Sequence, residues 1–531
     1  MISRLDLIRE TLRRATDRLL AERGPDGYWS GELAPSALAT ATAVAALTLV
    51  DRAGGECRHA AAIERGLAWL AATRRPDGGW GDTPDSPSNL STTALAWAAF
   101  GLAGGDRHEP AHAAAERWLL AAAGGLDPDR LAAAILGRYG KDRTFSVPIL
   151  MMLALAGRLG AEGWRRVPQL PFEVAACPRT WFATLRLPVV SYALPALIAI
   201  GQARHRQAPA TNPLLRAIRE GVREPTLRIL AEIQPASGGF LEATPLTSFV
   251  AMALVAAGER DRPVVARAIE FLVRSQRSDG SWPIDTNLAT WVSTLGVNAL
   301  ARGADFAQRL PAAERERLVR WLLGQQHRAI HPYTGAAPGG WAWTDLPGGV
   351  PDADDTAGAL LALRALGARA DDAIAAGVRW LLDLQNADGG LPTFCRGWGH
   401  LPFDRSGPDL TAHAIHAWTR WQHALPGPLA ARVERGLRRA GEHLLASQRA
   451  DGAWVPLWFG NQQARHEENP TYGTARTVVA LMASGRREWE AASARGVHWL
   501  LPTHGHSGGW GGDDAAPPAI EETGLALQAL A

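Results

Sequence analysis

The apolar positions of the 531-residue chain recur mainly at helical spacing, in Ala- and Leu-rich stretches such as Thr93-Ala-Leu-Ala-Trp-Ala-Ala-Phe100. Short segments that combine Gly with Trp interrupt these stretches repeatedly. The copies are Gly24–Trp29, Arg75–Trp80, Ser278–Trp282, Pro338–Trp341, Ala387–Leu391, Ala450–Trp454 and Ser507–Trp510, with a degenerate copy at Gln234–Phe240. A recurring segment of this kind predicts a repeat architecture in which each unit is a pair of helices.

Most copies follow a helix that ends in Gln, as at Gln276 and Gln385, with a looser version at Gln325. The Asp-Gly of the turn supplies a positive φ, and the Gly ends the helix. We expect the Gln amide to satisfy open backbone groups there and the Trp ring to stack over it. Because the Ala faces allow close packing, the pattern predicts an all-α fold built from closed or nearly closed rings of helix pairs.

Composition narrows the class of protein. A hydrophobic content of 47%, a charged content of 20% and a net charge of +2 describe a globular protein that does not bind nucleic acid. Cys57, Cys177 and Cys395 are far apart, which argues against a disulfide framework and a structural zinc site. The amino terminus is typical of an amphipathic helix without a signal-peptide core, so we expect a cytoplasmic protein.

One apolar run, Leu187–Ile200, is too short to span a bilayer, and Pro188 and Pro195 interrupt it. The run fits either a buried core segment or a surface that dips into lipid. Its pattern alone favours the core.

Three carboxylates, Asp352, Asp354 and Asp355, stand at the start of a predicted apolar helix. An acidic helix start is often only a cap that complements the helix dipole. Here the helix that follows is apolar throughout, so we expect the cluster to face a core or cavity. Three carboxylates in one turn cannot all ionise cheaply at low dielectric, so at least one should stay protonated and the cluster should titrate as a unit. Such a carboxylic acid is what protonation of an alkene requires.

A histidine further along the chain, His413, is a candidate partner for the cluster. A single His in a helix is usually a packing or surface residue. One that hydrogen-bonds an Asp would orient that carboxyl group and increase its acidity.

These features resemble the squalene-hopene cyclase and oxidosqualene cyclase superfamily of class II terpene cyclases. The Gly-Trp turns look like the superfamily's QW repeats, and Pro351-Asp352-Ala353-Asp354-Asp355-Thr356-Ala357 looks like its acid motif. The resemblance implies that Asp354 donates the proton, with Asp352 and Asp355 beside it.

Two further segments resemble the superfamily's catalytic stretches. Asp409–His413 is similar to the segment whose histidine hydrogen-bonds the acid, and Asn469–Thr474 to the stretch whose tyrosine, here Tyr472, helps to reprotonate the site through water. The resemblance also implies that Trp343, Trp291 and Trp458 line the substrate cavity and stabilise cationic intermediates. It further implies that Arg179–Val190 forms part of a membrane-dipping substrate entrance, which shifts the interpretation of the apolar run towards lipid contact.

The chain departs from the superfamily pattern in three places. The superfamily's final repeat and terminal cavity aromatics are missing after Ile520–Ala526. Cys177 and Pro178 stand where a cavity Trp is usual, and Phe394–Arg405 brings charged groups near the acid. These departures leave the product skeleton open.

We therefore expect cyclisation of squalene or a related linear polyprene, started by Asp354, without a cofactor. A bacterial diterpene-type cyclase acting on a prenyl diphosphate is the first alternative, with Arg396, Arg405 or Arg465 holding the phosphates and Mg²⁺ required. The second alternative is a helical toroid without chemistry, or a zinc-dependent prenyl transferase subunit with Cys395 as a ligand.

The expected architecture has two α/α-toroid domains. Residues 1–18 and 285–531 form the catalytic barrel with the acid motif, and residues 19–284 form an inserted barrel with the apolar entrance. The resemblance implies this discontinuous arrangement. We expect an isoprenoid substrate, peripheral contact with a membrane, and no nucleic acid partner; a homodimer stays open.

Overall fold

The structure is a computed structural model, described here for residues 4–140, 142–178, 181, 184–185, 193–332, 334–394, 403–505 and 508–531. Regular structure in these residues is almost entirely helical, which confirms the predicted all-α fold. The two short strands β1 (Pro35–Ser36) and β2 (Trp282–Pro283) pair in antiparallel register.

The α-helices alternate between an inner and an outer position. In chain order they are α1 (Arg4–Ala21), α2 (Ala37–Gly54), α3 (Ala60–Ala72), α4 (Leu90–Ala103), α5 (Glu109–Ala123), α6 (Pro128–Tyr139), α7 (Arg143–Leu155), α8 (Gly163–Arg166), α9 (Leu194–Gln207), α10 (Pro213–Ile233), α11 (Thr244–Ala256), α12 (Pro263–Arg274), α13 (Ala289–Leu300), α14 (Phe306–Arg309), α15 (Ala312–Gly324), α16 (Ala353–Ala365), α17 (Asp372–Leu384), α18 (Pro408–Trp421), α19 (Gly427–Ser447), α20 (Pro470–Ser484), α21 (Glu490–Leu500) and α22 (Ile520–Leu530).

The first ring closes on itself. Its inner helices α2, α4, α7, α9 and α11 pack side by side, and α11 returns to pack against α2. These helices are apolar on nearly all sides, because other helices cover both their inner and outer faces. One of them, α2, has the length and hydropathy of a membrane-spanning helix, but it is mostly buried inside this ring.

The second ring is open. Its inner helices α13, α16, α18, α20 and α22 pack in sequence, whereas α22 and α13 make at most marginal contact. The outer helices α15, α17, α19 and α21 each cover the inner helix next to them.

The two hydrophobic cores differ in which chain segments they contain. Leu19, Leu20 and Trp29 pack in the second core, although the predicted boundary after residue 18 assigned them to the inserted domain. We now propose that the first segment of the catalytic barrel extends through Trp29. Contacts between the rings include an ion pair of 2.6 Å between Arg138 and Glu467.

The repeat turns that follow Gln234, Gln276, Gln326, Gln385 and Gln448 share a glycine with a positive φ and a hydrogen bond from the Gln amide. The turn Gly has a positive φ, for example 91° at Gly389. There, an added Cβ would lie 2.2 Å from the backbone oxygen of Arg439 on the next outer helix, so only glycine fits. The Gln amide of the preceding helix donates to the turn Gly and to that next outer helix, as in Gln385 to Gly389 (2.7 Å) and Gly436 (3.0 Å).

Two details differ from the sequence prediction. The Trp indoles donate to a carbonyl near the end of the preceding outer helix, as Trp454 Nε1 does to Leu444 at 2.8 Å. In the loosest repeat Gln326 makes the turn contact at 2.8 Å, whereas Gln325 bonds within its own helix. Gln326 follows Leu322 at the spacing that Gln276 keeps from Leu272, so it is the equivalent residue.

The backbone N–H of each repeat Trp, or of the residue in its place, donates to a hydroxyl on an inner helix. These hydroxyls are Thr40, Thr93, Thr247, Ser293, Thr356, Thr411, Thr474 and Thr523. We call them the anchor hydroxyls. They define equivalent positions on the inner helices α2, α4, α11, α13, α16, α18, α20 and α22.

The apolar run is only partly described. Leu187–Tyr192 lies outside the described residues, and the remainder enters the inner helix α9, where Ile198 and Ile200 are buried. This described part belongs to the core, as the pattern alone predicted.

Candidate active site

The carboxylate cluster lies at the amino-terminal end of α16. Asp352 caps the helix from an extended backbone conformation, and its side chain accepts a 2.8 Å hydrogen bond from the Asp355 N–H. Its own N–H donates to the Trp341 carbonyl at 3.0 Å, which ties the cap to the repeat turn. The sequence folds this way because an Asp satisfies an otherwise open N–H of the first turn.

Asp354 has partners on two other inner helices. Its Oδ1 lies 2.5 Å from Nδ1 of His413 on α18, and Nη2 of Arg476 on α20 donates to the same oxygen at 3.2 Å. The guanidinium nitrogen also lies 3.0 Å from Nδ1 of His413. Asp354 and His413 are both largely shielded, with 13% and 8% of their side chains exposed. The structure therefore brings Asp354 and His413 together, and adds an arginine that the sequence analysis did not single out.

The pKa values of the three aspartates are shifted in different directions by their surroundings. Burial raises the pKa of Asp352 to about 8 and, together with the neighbouring Asp352, raises the pKa of Asp355 well above its usual range. Each of the two has one buried oxygen without a hydrogen-bond partner among the described residues. Burial also favours the neutral form of Asp354, but His413 and Arg476 outweigh it and lower its pKa to about 2. At neutral pH the ionised form of Asp354 is therefore favoured, beside two carboxyl groups that stay protonated, and Asp354 is a strong acid whenever it carries a proton.

Asp409 and Tyr472 complete the polar side of the site. Burial, followed by the charge on Asp354, raises the pKa of Asp409 to about 6, and neither of its carboxyl oxygens has a hydrogen-bond partner among the described residues. Burial raises the pKa of Tyr472 well above its usual range, so its phenol is neutral. Its ring centroid lies 5.8 Å from the guanidinium of Arg476.

The predicted substrate-binding tryptophans belong to two rows of rings that are neither fully buried nor fully exposed. In the first row, centroids are separated by 6.1 Å between Trp343 and Phe394, 5.4 Å between Phe394 and Phe403, and 4.0 Å between Phe403 and Trp458. The row connects the two rings of helices, because Trp343, Phe394 and Phe403 pack against the first core.

The second row leads to the acid. Trp291 lies 6.2 Å from Phe459, which stacks on Tyr472 at 4.7 Å. Trp291 also donates its backbone N–H to the Trp343 carbonyl at 3.0 Å, so the two rows meet. Electron-rich faces of this kind attract a carbocation.

The anchor hydroxyls show a signal that motif matching missed. Two positions before an anchor, the second ring carries Trp291, Asp354, Asp409, Tyr472 and Glu521. Two positions after an anchor it carries His413 and Arg476, and the equivalent Gly358 faces His413, whose Cε1 would lie in ordinary contact with an added Cβ at 3.5 Å. Reading the repeats in register would therefore have found Arg476, Asp409 and Glu521.

Several candidate residues are not brought to the acid. Arg405 and Arg465 are exposed, and Arg465 pairs at 3.7 Å with Asp514. Cys395 and Arg396 lie outside the described residues. Within the described ranges no group of three or more His, Cys, Asp or Glu side chains could hold a metal ion.

Comparisons with known proteins agree with this geometry. Residues 12–158 match the family model of the squalene-hopene cyclase N-terminal domain, and residues 288–524 match that of the C-terminal domain. The chain is 25% identical to a squalene–hopene cyclase of Alicyclobacillus acidocaldarius, over 94% of this chain and 92% of that protein. It is 27% identical to a copalyl diphosphate synthase of Streptomyces cyslabdanicus, over 88% of this chain and 77% of that protein.

The fold also matches a solved structure. An ent-copalyl diphosphate synthase from Streptomyces platensis superimposes with a TM-score of 0.60 at 20% identity, covering 97% of this chain and 87% of that one. At this identity the match shows the fold alone.

Proposed function

Because this chain belongs to the squalene-hopene cyclase family of class II terpene cyclases, we propose that Asp354 protonates the terminal alkene of a linear polyprene. The observation that carries the proposal is the contact of Asp354 with His413 and Arg476 at the end of two aromatic rows. Proteins of this class start cyclisation by protonation and need no cofactor. The alternative of a helical toroid without chemistry is not supported.

In the proposed first step, Asp354 in its protonated form transfers the carboxyl proton to the less substituted carbon of the terminal alkene. The alkene π electrons form the new C–H bond, which leaves a tertiary carbocation, and the next alkene attacks that cation to close a ring. Asp354 becomes a carboxylate that Arg476 stabilises by a hydrogen bond and by its charge. The aromatic rows stabilise the migrating cation by about 0.5 to 2 kcal/mol per desolvated ring.

We propose squalene as the first substrate to test. A hydrocarbon suits the aromatic rows because Arg405 and Arg465, two of the arginines considered for holding a diphosphate, are exposed. Geranylgeranyl diphosphate is the second candidate, favoured by the likeness to a copalyl diphosphate synthase over most of both chains.

The deciding experiment is incubation with squalene, oxidosqualene and geranylgeranyl diphosphate, the last with and without Mg²⁺, followed by mass spectrometry of the products. Cyclised squalene formed without Mg²⁺ supports the hydrocarbon substrate. Turnover of geranylgeranyl diphosphate alone would overturn that choice while keeping the acid chemistry. An absence of cyclic product from all three would contradict the proposed function.

We also propose peripheral membrane contact for a cytoplasmic enzyme. Trp181 and Leu185, beside the predicted entrance, expose 51% and 58% of their surface. Large apolar residues at a surface favour insertion into an interface. Flotation with phosphatidylcholine vesicles should recover the wild type and lose Trp181→Ser/Leu185→Ser, whereas equal recovery would contradict the contact. Sedimentation of the same samples tests the homodimer.

A further inference from the structure

We infer that Arg476 is a positioning residue that sets the acid strength of the Asp354–His413 pair, an inference that rests on the proposed function. The guanidinium touches both partners of the pair, at 3.2 Å to Asp354 Oδ1 and 3.0 Å to His413 Nδ1. Among the described residues it is the sole permanent cation within hydrogen-bonding distance of Asp354.

The position of Arg476 is built into the fold. Asn469 caps α20 by accepting from the Tyr472 N–H at 3.1 Å, and the buried Glu522 of α22 accepts from the Asn469 side-chain amide at 2.9 Å. The last inner helix therefore fixes the start of α20. One turn separates Tyr472 from Arg476, so both side chains lie on the same face and reach the acid.

Proton accounting gives the guanidinium a specific effect. Arg476 only donates hydrogen bonds and stays charged, whereas the Asp354–His413 pair holds either one shared proton or none. With one proton the pair is neutral, and without it the pair carries a negative charge that Arg476 stabilises. A second proton would create an imidazolium beside the guanidinium, which is disfavoured: burial, followed by Arg476, lowers the pKa of His413.

The other charged or titratable groups around the pair do not replace this effect. From the packed helices they are Asp352 and Asp355 on α16, Asp409 and His416 on α18, Tyr472 on α20 and Glu521 on α22, with Arg302 and Arg420 nearest to His416. Asp352 and Asp355 stay protonated, a carboxylate at Asp409 or Glu521 makes deprotonation of Asp354 harder, and burial holds His416 neutral. Arg476 thus favours ionisation of Asp354, the proton donor, against the effect of the surrounding carboxylates.

Arg476 therefore has two opposing effects: it increases the acid strength of the Asp354–His413 pair, and it makes reprotonation of the pair harder. A cation beside the pair makes proton transfer to a weakly basic alkene more favourable. The same cation lowers the pH above which the pair no longer regains its proton. Activity should therefore fall as pH rises through the pKa of the pair, and removing the cation should move that fall to higher pH.

The test compares Arg476→Met, Arg476→Lys and the surface control Arg449→Met, whose Arg pairs with Glu468 at 2.8 Å. We expect Arg476→Met to lower the plateau rate at low pH on the order of tenfold to a hundredfold, within the range of general acid catalysis. Its alkaline limb should move up by about one pH unit, which corresponds to a tenfold change in proton affinity. Arg476→Lys should restore most of both, and Arg449→Met should match the wild type. An Arg476→Met rate that falls equally at every pH, with no shift of the alkaline limb, would overturn the inference.

A measurement without turnover separates this inference from the proposed function. In ¹⁵N-histidine NMR, with His413→Ala used for assignment, the His413 titration should move to higher pH in Arg476→Met. An unchanged titration overturns the inference even if the enzyme is active. A shifted titration in a protein that cyclises no polyprene supports the effect of Arg476 and rejects the function.

Discussion

The two rings of helices share the same repeat turns and anchor hydroxyls. They differ in the side chains that stand two positions before and after each anchor hydroxyl. In both rings a threonine hydroxyl accepts the amide of the repeat tryptophan, at 3.0 Å for Thr93 with Trp80 and 2.9 Å for Thr356 with Trp341. Two positions before the anchors the first ring carries Leu38, Ser91 and Pro245, and two positions after them Thr42, Leu95 and Phe249. The corresponding sites of the second ring include Asp354, Asp409, Tyr472, His413 and Arg476.

This difference separates the requirements of folding from those of chemistry. The turn glycines, glutamines and anchor hydroxyls build a ring whatever stands at the inward positions. A buried carboxylate at such a position is costly unless a counter-charge and hydrogen bonds accompany it. The second ring supplies a counter-charge and a hydrogen bond for Asp354 from neighbouring helices. The carboxylate that remains after proton transfer is therefore stabilised there.

The largest expected effect is on the rate, at the donor itself. Asp354→Asn keeps the shape of the side chain but removes the acidic proton, so cyclisation should fall on the order of 10² to 10⁴-fold. Gas chromatography of the cyclised product measures the loss. Asp372→Asn, at an exposed first-turn position of α17, is the matched control and should retain full activity. A wild-type rate in Asp354→Asn would contradict the mechanism.

The next largest effect is expected when a carboxylate is placed at Ser91, the site of the first ring that is equivalent to Asp354. Ser91 is buried and has no cation contact, so Ser91→Asp should lower the free energy of unfolding at pH 7 by about 3 to 5 kcal/mol. The folded-state pKa of the new carboxyl should be raised, so the destabilisation should grow as pH rises above its unfolded value and shrink at pH 4. Urea unfolding at both pH values, with Ser91→Asn as the neutral control, measures it. Equal losses for Asp and Asn would show that charge is not the cause.

A smaller effect tests the shared frame. Thr93→Val and Thr356→Val each leave a buried tryptophan amide without its acceptor, so each should cost about 1 to 3 kcal/mol of unfolding free energy. Only Thr356→Val should also slow cyclisation, because its helix carries the acid. Comparable loss of activity in folded Thr93→Val would erase the distinction between the rings.

The smallest effect concerns the aromatic rows. Trp343→Leu removes one ring that stabilises the cation by about 0.5 to 2 kcal/mol. Cyclisation should therefore be slower by about 2- to 30-fold. The first-ring control is Trp97→Leu, whose ring lies 4.1 Å from the Arg158 guanidinium. It should reduce stability with the initial rate per folded molecule unchanged. Unaltered kinetics in Trp343→Leu would remove this ring from the substrate cavity.

The sequence predicted the features that depend on local chemistry. The Asp-Gly turns, the helix pairs and the cap at Asp352 follow from backbone preferences within a few residues. The pairing of Asp354 with His413 was predicted only from the resemblance to the cyclase superfamily, since 59 positions separate the two residues. No local rule connects residues on two different inner helices.

Arg476 was missed for a related reason. It stands two positions beyond the Asn469–Thr474 stretch that resembles the superfamily, and 122 positions from Asp354. Its equivalence to His413 appears only when the repeats are aligned by their anchor hydroxyls, and those are recognisable only once the Trp–Thr hydrogen bonds are seen. Gln326 was missed because another glutamine, Gln325, directly precedes it, although Gln326 follows Leu322 at the same spacing as Gln276 follows Leu272.

The central claim is that solvent-exchangeable acid at Asp354 starts the reaction. Cyclisation of the accepted polyprene in deuterated buffer, followed by mass spectrometry, tests it most directly. We predict one carbon-bound deuterium in every product molecule, at the ring-A methylene formed from the less substituted carbon of the terminal alkene, and no product above background from Asp354→Asn. Cyclic product without deuterium, or deuterated product formed at the wild-type rate by Asp354→Asn, would contradict the account.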